Sequence, residues 1–250
     1  MNRSLISFRF HTWFALGLTA LAGCASGQFP TLTIYETPNT FVRLEADRQI
    51  DQTSGHSHPA SISPEQIAAV LHGVIVEEPF TRVPLYDDLS IPRRHHAFNE
   101  KDVEFWAPLF SIALSKATPE EVVTFYRTRK LSGVNREVTS GGLFVRGEHL
   151  HLVLSNYQSE THYAADFGVA ETTDDRLTPM LSLSPQRGKL LFEPAEALRD
   201  PASTGLKRLA YWDRRELVLL YRQLAPFPLS TESSHSQLPV TREPDRSPMR

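Results

Sequence analysis

The chain has 250 residues, 40% of them hydrophobic, with 26 Lys and Arg against 29 Asp and Glu and a formal net charge of −3. It carries no basic excess of the kind that neutralises phosphates, which argues against a nucleic-acid partner. A single cysteine, Cys24, rules out an intrachain disulfide and any zinc site built on several thiolates.

In chain order, Arg3 and Arg9 supply a positive start, and the apolar run Trp13 to Ala22 follows with no acidic residue in it. That run falls short of the roughly 20 apolar residues a membrane span needs, so residues 1–23 read as a secretory signal peptide. Leu21-Ala22-Gly23-Cys24 places small residues directly before the cysteine. In this the segment resembles a bacterial lipoprotein signal with its lipobox, a resemblance confined to residues 1–24. It implies cleavage before Cys24, a diacylglycerol thioether on the sulfur and acylation of the new amino group. Two or more acyl chains anchor a protein stably where one does so only marginally. Ala25 stands where an inner-membrane lipoprotein commonly carries Asp, so the resemblance points to the outer membrane; a periplasm-facing domain is expected ahead of a cell-surface one, and the sequence leaves the leaflet open. The alternative is an ordinary cleaved signal beside an incidental cysteine. Loss of Arg3 and Arg9 with the signal leaves 24 basic against 29 acidic residues, a net of −5. Lipidation would also consume the sole thiol.

Residues 24–30 form a tether, and residues 31–225 are long enough for one domain with its own core. Thr31–Tyr35 and Thr40–Leu44 alternate β-branched and aromatic residues around Thr37-Pro38-Asn39 and predict two strands. Asp47 to Ala60 is polar and predicts a loop. Ser63-Pro64-Glu65-Gln66 predicts a helix start, with an N-cap, a first-position proline and a capping-box glutamine; Ile67, Val70 and Leu71 share one face. Val74–Val76 reads as a short strand, followed by a proline-punctuated stretch to Arg93-Arg94-His95-His96. Asn99 to Asp102 opens a second helix with Val103, Trp106, Phe110, Ala113 and Leu114 at helical spacing, in which Pro108 marks either a kink or the true start. Thr118-Pro119-Glu120-Glu121 repeats the helix-start chemistry, and Val122, Val123, Phe125 and Tyr126 predict a third helix.

From Asn135 the period changes. Leu143–Arg146, a Gly147-Glu148 turn and His149–Leu154 predict a hairpin, and 158–177 a long loop in which Tyr163–Val169 adds a short strand at most. Met180–Leu183 and Lys189–Phe192 predict a second hairpin about Gln186-Arg187-Gly188. Leu206–Leu224 fits a helix capped by Asp213 and Glu216 or a hairpin turning at Asp213-Arg214-Arg215, and the surrounding strands favour the hairpin. Residues 226–250 are proline-, serine- and charge-rich, with little to bury, and predict a disordered tail. The expected fold is α+β: a single domain with about three helices in the first half and an antiparallel, hairpin-rich sheet mainly in the second.

For chemistry, His149-x-His151 is the sharpest constellation, because residues two apart in a strand project from one face and both imidazoles can reach one zinc ion. The same alternation also explains them as the solvated face of a strand whose Leu150, Leu152 and Leu154 enter the core. His56-x-His58 and His95-His96 fall in expected loops, where two residues specify no coordination geometry; His58 before Pro59 is also placed to cap the Ser63 helix entrance. No nucleophile elbow, phosphate-binding glycine loop, zincin motif or dinucleotide fingerprint occurs. Ser140-Gly141-Gly142 reads as a strand-entry turn, the acidic pairs Glu77-Glu78, Asp87-Asp88 and Asp174-Asp175 and the basic pairs Arg93-Arg94 and Arg214-Arg215 as solvated faces, and the aromatics Phe105, Trp106, Phe125, Tyr126, Tyr211 and Trp212 as core. The function expected is a membrane-anchored envelope lipoprotein acting without catalysis as a binding or assembly component, held to lipid through Cys24 and facing other envelope proteins or glycans. The alternative is a zinc-type metal-binding envelope protein or hydrolase using His149 and His151. No cofactor is otherwise implied, and the sequence leaves the oligomeric state open.

Overall fold

The computed structural model describes residues 30–47, 50, 55–79, 92–131, 135–162, 175–186, 188–199 and 215–229. The signal peptide, Cys24, most of the tether and the 230–250 part of the tail lie outside these residues, as do Tyr163–Val169, Asp87-Asp88, Asp213-Arg214, Tyr211 and Trp212. The first hairpin forms as its alternation predicts, β1 (Pro30–Thr37) against β2 (Thr40–Ala46). Helix α1 (Pro64–Gly73) starts on the expected capping box, the Ser63 hydroxyl accepting from the Gln66 amide at 3.3 Å and the Gln66 side chain accepting from the Ser63 amide at 3.4 Å. The chain passes straight from α1 into β3 (Val74–Glu77), then continues through β4 (Arg94–His96) to α2 (Glu100–Lys116). Asn99 caps α2 by accepting from the Asp102 amide, and the helix runs on through Pro108.

Five strands and a pair of 3-10 turns follow: β5 (Glu121–Lys130), β6 (Asn135–Arg146), β7 (His149–His162), a turn at Asp175–Leu177, β8 (Lys189–Phe192), a turn at Ala195–Ala197, and β9 (Leu198–Arg199). After them come β10 (Glu216–Leu219) and a 3-10 turn at Tyr221–Gln223. A seven-stranded sheet runs β1-β2-β5-β6-β7-β10-β9, and a three-stranded one runs β4-β3-β8. One face of the large sheet receives α2 with α1 beside it. Val42, Leu44, Val123, Phe125, Leu143, Val145, Leu150, Leu152 and Leu154 meet Trp106, Phe110 and Leu114 there in one buried cluster. The Phe110 and Phe125 rings lie 5.3 Å apart, and Trp106 stacks on Phe110 at 5.3 Å. Burial of side chains this size contributes about 1.5–3 kcal/mol each. Among the described residues no helix is long and apolar enough to cross a membrane.

The fold differs from the expected one in composition and layout. Among the described residues there are two α-helices, not three, and the main sheet draws β1, β2 and β5 from the first half of the chain. The predicted third helix is β5. Its start chemistry makes a turn instead: the Glu121 carboxylate accepts from the Thr118 amide at 2.8 Å, and the Glu121 amide donates to the Thr118 carbonyl at 3.0 Å. Val123 and Phe125 face the helices while Val122 and Tyr126 face the other way, and all four are buried. A strand covered on both sides has no polar alternation, and apolar residues at i, i+1, i+3 and i+4 then imitate a helical stripe. The predicted hairpin around 186–188 also does not form, since Lys189–Phe192 pairs with Val74–Glu77. Ser140-Gly141-Gly142 lies inside β6 rather than at its entry. At 206–224 a strand, β10, forms at Glu216–Leu219, but its two neighbours are β7 and β9 rather than a hairpin arm just before it, and 206–214 lie outside the described residues.

The β6–β7 hairpin turns at Gly147-Glu148, with Gly147 at φ 60°. Gly141 has a different reason to be glycine: a Cβ there would sit 1.9 Å from the Val153 carbonyl oxygen of the paired strand. Gly147→Ala should therefore cost about 1–2 kcal/mol, the penalty of a left-handed alanine. Gly141→Ala should cost about 3 kcal/mol or more, because backbone must move. Chemical denaturation of the two variants tests the order; equal midpoints would refute the close-packed crossing at Gly141.

Candidate functional site

The side chains that could carry chemistry gather on the second face of the large sheet, away from the helices. Strand register builds it in rows: Glu45, Val122, Phe144, His151 and Val218 form one, and Arg43, Thr124, Gly142, Val153 and Glu216 the next. Polar groups here are covered, with Glu45 only 2% exposed and Arg43 8%. Burial pushes the Glu45 carboxyl up to about 7, against the smaller opposing pulls of the Thr124 hydroxyl and the Arg43 charge. Glu45 Oε2 has no hydrogen-bond partner among the described residues. This carboxyl therefore holds a proton close to neutrality, yet is closed to solvent.

Beside it the Phe144 ring lies between two imidazoles, His56 at 4.3 Å and His151 at 4.5 Å. Each imidazole leans on a carboxylate, His56 Nε2 on Asp47 Oδ2 at 3.0 Å and His151 Nδ1 on Glu216 Oε1 at 2.7 Å. His58 belongs to the same loop and accepts from the Val145 amide through Nε2 at 3.0 Å, pinning residues 55–60 to β6. Its pKa falls to about 4, chiefly by burial and then by the neighbouring His56. Toward the other end of the face the Tyr126 hydroxyl donates to Asp175 Oδ2 at 3.0 Å, and Arg136 reaches both Tyr126 and Asp175. Burial first, then the Asp175 charge, raises the Tyr126 pKa.

A strap, residues 175–186, closes this end. Its backbone is held by side chains of the sheet: Ser140 donates to the Pro179 carbonyl at 2.7 Å, Ser155 to that of Met180 at 2.8 Å, and Asn156 both donates to the Leu181 carbonyl and accepts from the Leu183 amide. Met180 lies over Gly142, its sulfur where a Cβ would leave only 3.0 Å. Outward, the strap shows Leu177 at 45%, Leu181 at 62% and Leu183 at 40% exposure.

Of the residues the sequence singles out, His149 and His151 do lie on one strand, with Leu150, Leu152 and Leu154 in the core behind them. His149 opens β7 half-buried, while His151 is engaged with Glu216. Among the described residues no group of three or more His, Cys, Asp or Glu converges as a metal set. His56 and His58 are not solvated but buried, and His58 bonds β6 rather than capping α1. His95 and His96 are in β4, not a loop. Asp175 is buried, and Arg215 turns inward, donating to Gln186 Oε1 and the Gly188 carbonyl at 2.9 Å each. Phe105, Trp106 and Phe125 pack in or against the core, as expected. Sequence reasoning missed Arg43, Glu45 and Thr124; the signal for the first two was a pair of charges two residues apart, flanking Leu44, in the largely apolar β2. Comparison with protein-family models, curated proteins and solved structures finds no match.

Glu45 and His58 titrate with opposite consequences. Glu45 keeps its proton in the folded state up to about 7, whereas the unfolded carboxyl loses it near 4.5; its stabilisation is full below 4.5 and gone above 7. His58 is neutral in the fold down to about 4, so its contribution is full above 6.5 and lost as pH falls toward 4. Glu45→Gln should thus gain on the wild type as pH rises from 4.5 to 8, by about 1–3 kcal/mol. Denaturant midpoints of both proteins at the two pH values test this, and a difference independent of pH would refute it.

Proposed function

We propose that this protein is a lipid-anchored component of the bacterial envelope, held at the outer membrane through Cys24 and facing the periplasm, which binds or assembles with another envelope protein rather than catalysing a reaction. The anchor rests on the Leu21-Ala22-Gly23-Cys24 lipobox. The binding role rests on one observation: the strap turns Leu177, Leu181 and Leu183 to solvent within seven residues while its backbone is tied down beneath them. Scattered exposed leucines are ordinary, but three within seven residues of a segment whose backbone is tied down offer apolar side chains to a protein contact. Such a surface suits a protein partner better than a glycan, which needs polar groups.

The tether gives this patch a direction. Residues 24–29 extend at most about 20 Å, and Pro30 lies at the end of the sheet that holds Glu45, Glu121, Arg146 and His149. Arg176 bonds the Pro38 and Thr37 carbonyls at the opposite end. The strap's first leucine, Leu177, therefore sits at the end remote from the tether, where a partner can reach it.

Intact-mass analysis of protein from membranes should show a chain beginning at acylated Cys24, and Cys24→Ser should abolish both the added mass and membrane retention. A photo-crosslinker at position 181 should capture a discrete partner in membranes, lost in Leu177→Glu/Leu183→Glu without a change in melting temperature. Turnover of an envelope polymer by the purified protein, abolished by a point substitution, would overturn the non-catalytic reading.

A further inference from the structure

The described histidines that lie closest in space are not all neighbours in sequence. His72 is in the last turn of α1 and His96 ends β4, 24 residues later, and their ring centroids are 4.5 Å apart at 37°. The backbone enforces this meeting. β3 leaves α1 directly, β4 pairs with it so that His96 stands opposite Ile75, and the Ala97 amide donates to the Val74 carbonyl at 2.8 Å.

His96 Nδ1 lies 2.7 Å from the His72 carbonyl oxygen, which can only accept, so Nδ1 carries a proton and Nε2 of this exposed ring is the nitrogen left to ligate. A backbone carbonyl fixing the tautomer through the far ring nitrogen is the arrangement that orients metal-bound imidazoles. No described residue hydrogen-bonds the His72 ring, which stacks on Phe227 at 4.5 Å between ring centroids. The Phe227 amide in turn donates to the Glu65 carbonyl at 3.0 Å. Burial and then the adjacent His96 lower the His72 pKa, against the pull of the Glu100 charge. His95 differs: its nitrogens face the Pro92 carbonyl at 2.8 Å and the Tyr157 hydroxyl at 3.1 Å.

We propose that His72 and His96 together bind one divalent transition-metal ion of the imidazole-seeking class, Zn2+, Ni2+ or Cu2+, at the junction of α1 and β4. Two imidazole nitrogen donors suit these ions rather than Mg2+ or Ca2+. No third His, Cys, Asp or Glu joins the pair among the described residues, so water fills the remaining positions and the site is open and exchangeable. Glu100, whose charge already acts on His72, favours a cation there. The site is independent of the lipid anchor and lies away from His149 and His151.

Calorimetric titration of the untagged, lipid-bearing protein in detergent with Ni2+ or Zn2+ should find one site. His72→Gln and His96→Gln should each weaken it at least about tenfold, since even outer-shell partners of metal-bound histidines are worth that much. His149→Gln/His151→Gln should leave it unchanged. Because His72→Gln also loses the Phe227 stack, Cu2+ broadening of imidazole resonances in the unsubstituted protein provides a second reading, expected at His72 and His96 first. Stoichiometric binding that survives the His72→Gln/His96→Gln double variant, binding lost only with His149 and His151, or no binding below millimolar Ni2+ or Zn2+ would each overturn the proposal.

Discussion

The structure depends on a sheet whose central strands are covered on both faces. Helices α1 and α2 seal one side with hydrocarbon and aromatic rings, a non-directional interaction satisfied by area alone. The other side is closed by two stretches without α-helix or β-strand, residues 55–60 and the strap 175–186, whose own amides and carbonyls must find partners. That requirement explains the polar side chains that stand on the second face among Val122, Phe144 and Val153. Ser140, Ser155 and Asn156 serve the strap backbone, and His58 serves the Val145 amide of the sheet.

Closing a sheet with backbone rather than with a helix brings chains nearer than side chains allow. Gly142 accommodates Met180, and Gly141 accommodates the Val153 carbonyl at the irregular crossing of β6 and β7. The same closure removes water from ionisable groups that β2 delivers to this face. Arg43 finds Glu36 at 2.5 Å, whereas among the described residues Glu45 has the hydroxyl of Thr124 and the Arg43 charge. A carboxyl left with that little support stays protonated, which costs less than burying its charge unpaired.

Local chemistry that settles its own geometry was legible in the sequence. Ser63 and Gln66 cap α1 because both partners lie within three residues, Asn99 caps α2 for the same reason, and Gly147 makes the β6–β7 turn. What escaped was whatever the far side of the sheet decides. Val122, Val123, Phe125 and Tyr126 announce a helix until a second covering layer is known to exist, since only that layer makes two apolar faces on one strand sensible. Lys189–Phe192 is recognisable as a strand, but its pairing with Val74–Glu77 spans more than a hundred residues and no turn signal encodes it. On the second face His149 and His151 are recognisable as neighbours on one strand, but the Glu216 carboxylate that meets His151 lies 65 residues further along the chain and carries no local mark.

The histidines show the same limit in its sharpest form. Read along the chain, six of the ten fall into the pairs 56 and 58, 95 and 96, and 149 and 151, and adjacency suggests that each pair acts together. Strand geometry divides them. His95 and His96 are successive residues of β4, so their side chains leave opposite faces, one toward Tyr157 and the other toward His72. His56 and His151, far apart in sequence, instead share the Phe144 ring. A second imidazole at i+1 in a strand is thus an argument against a shared ligand. The partner to look for is one that the neighbouring element brings alongside, as α1 does for His96 by ending one residue before β3, the strand beside β4.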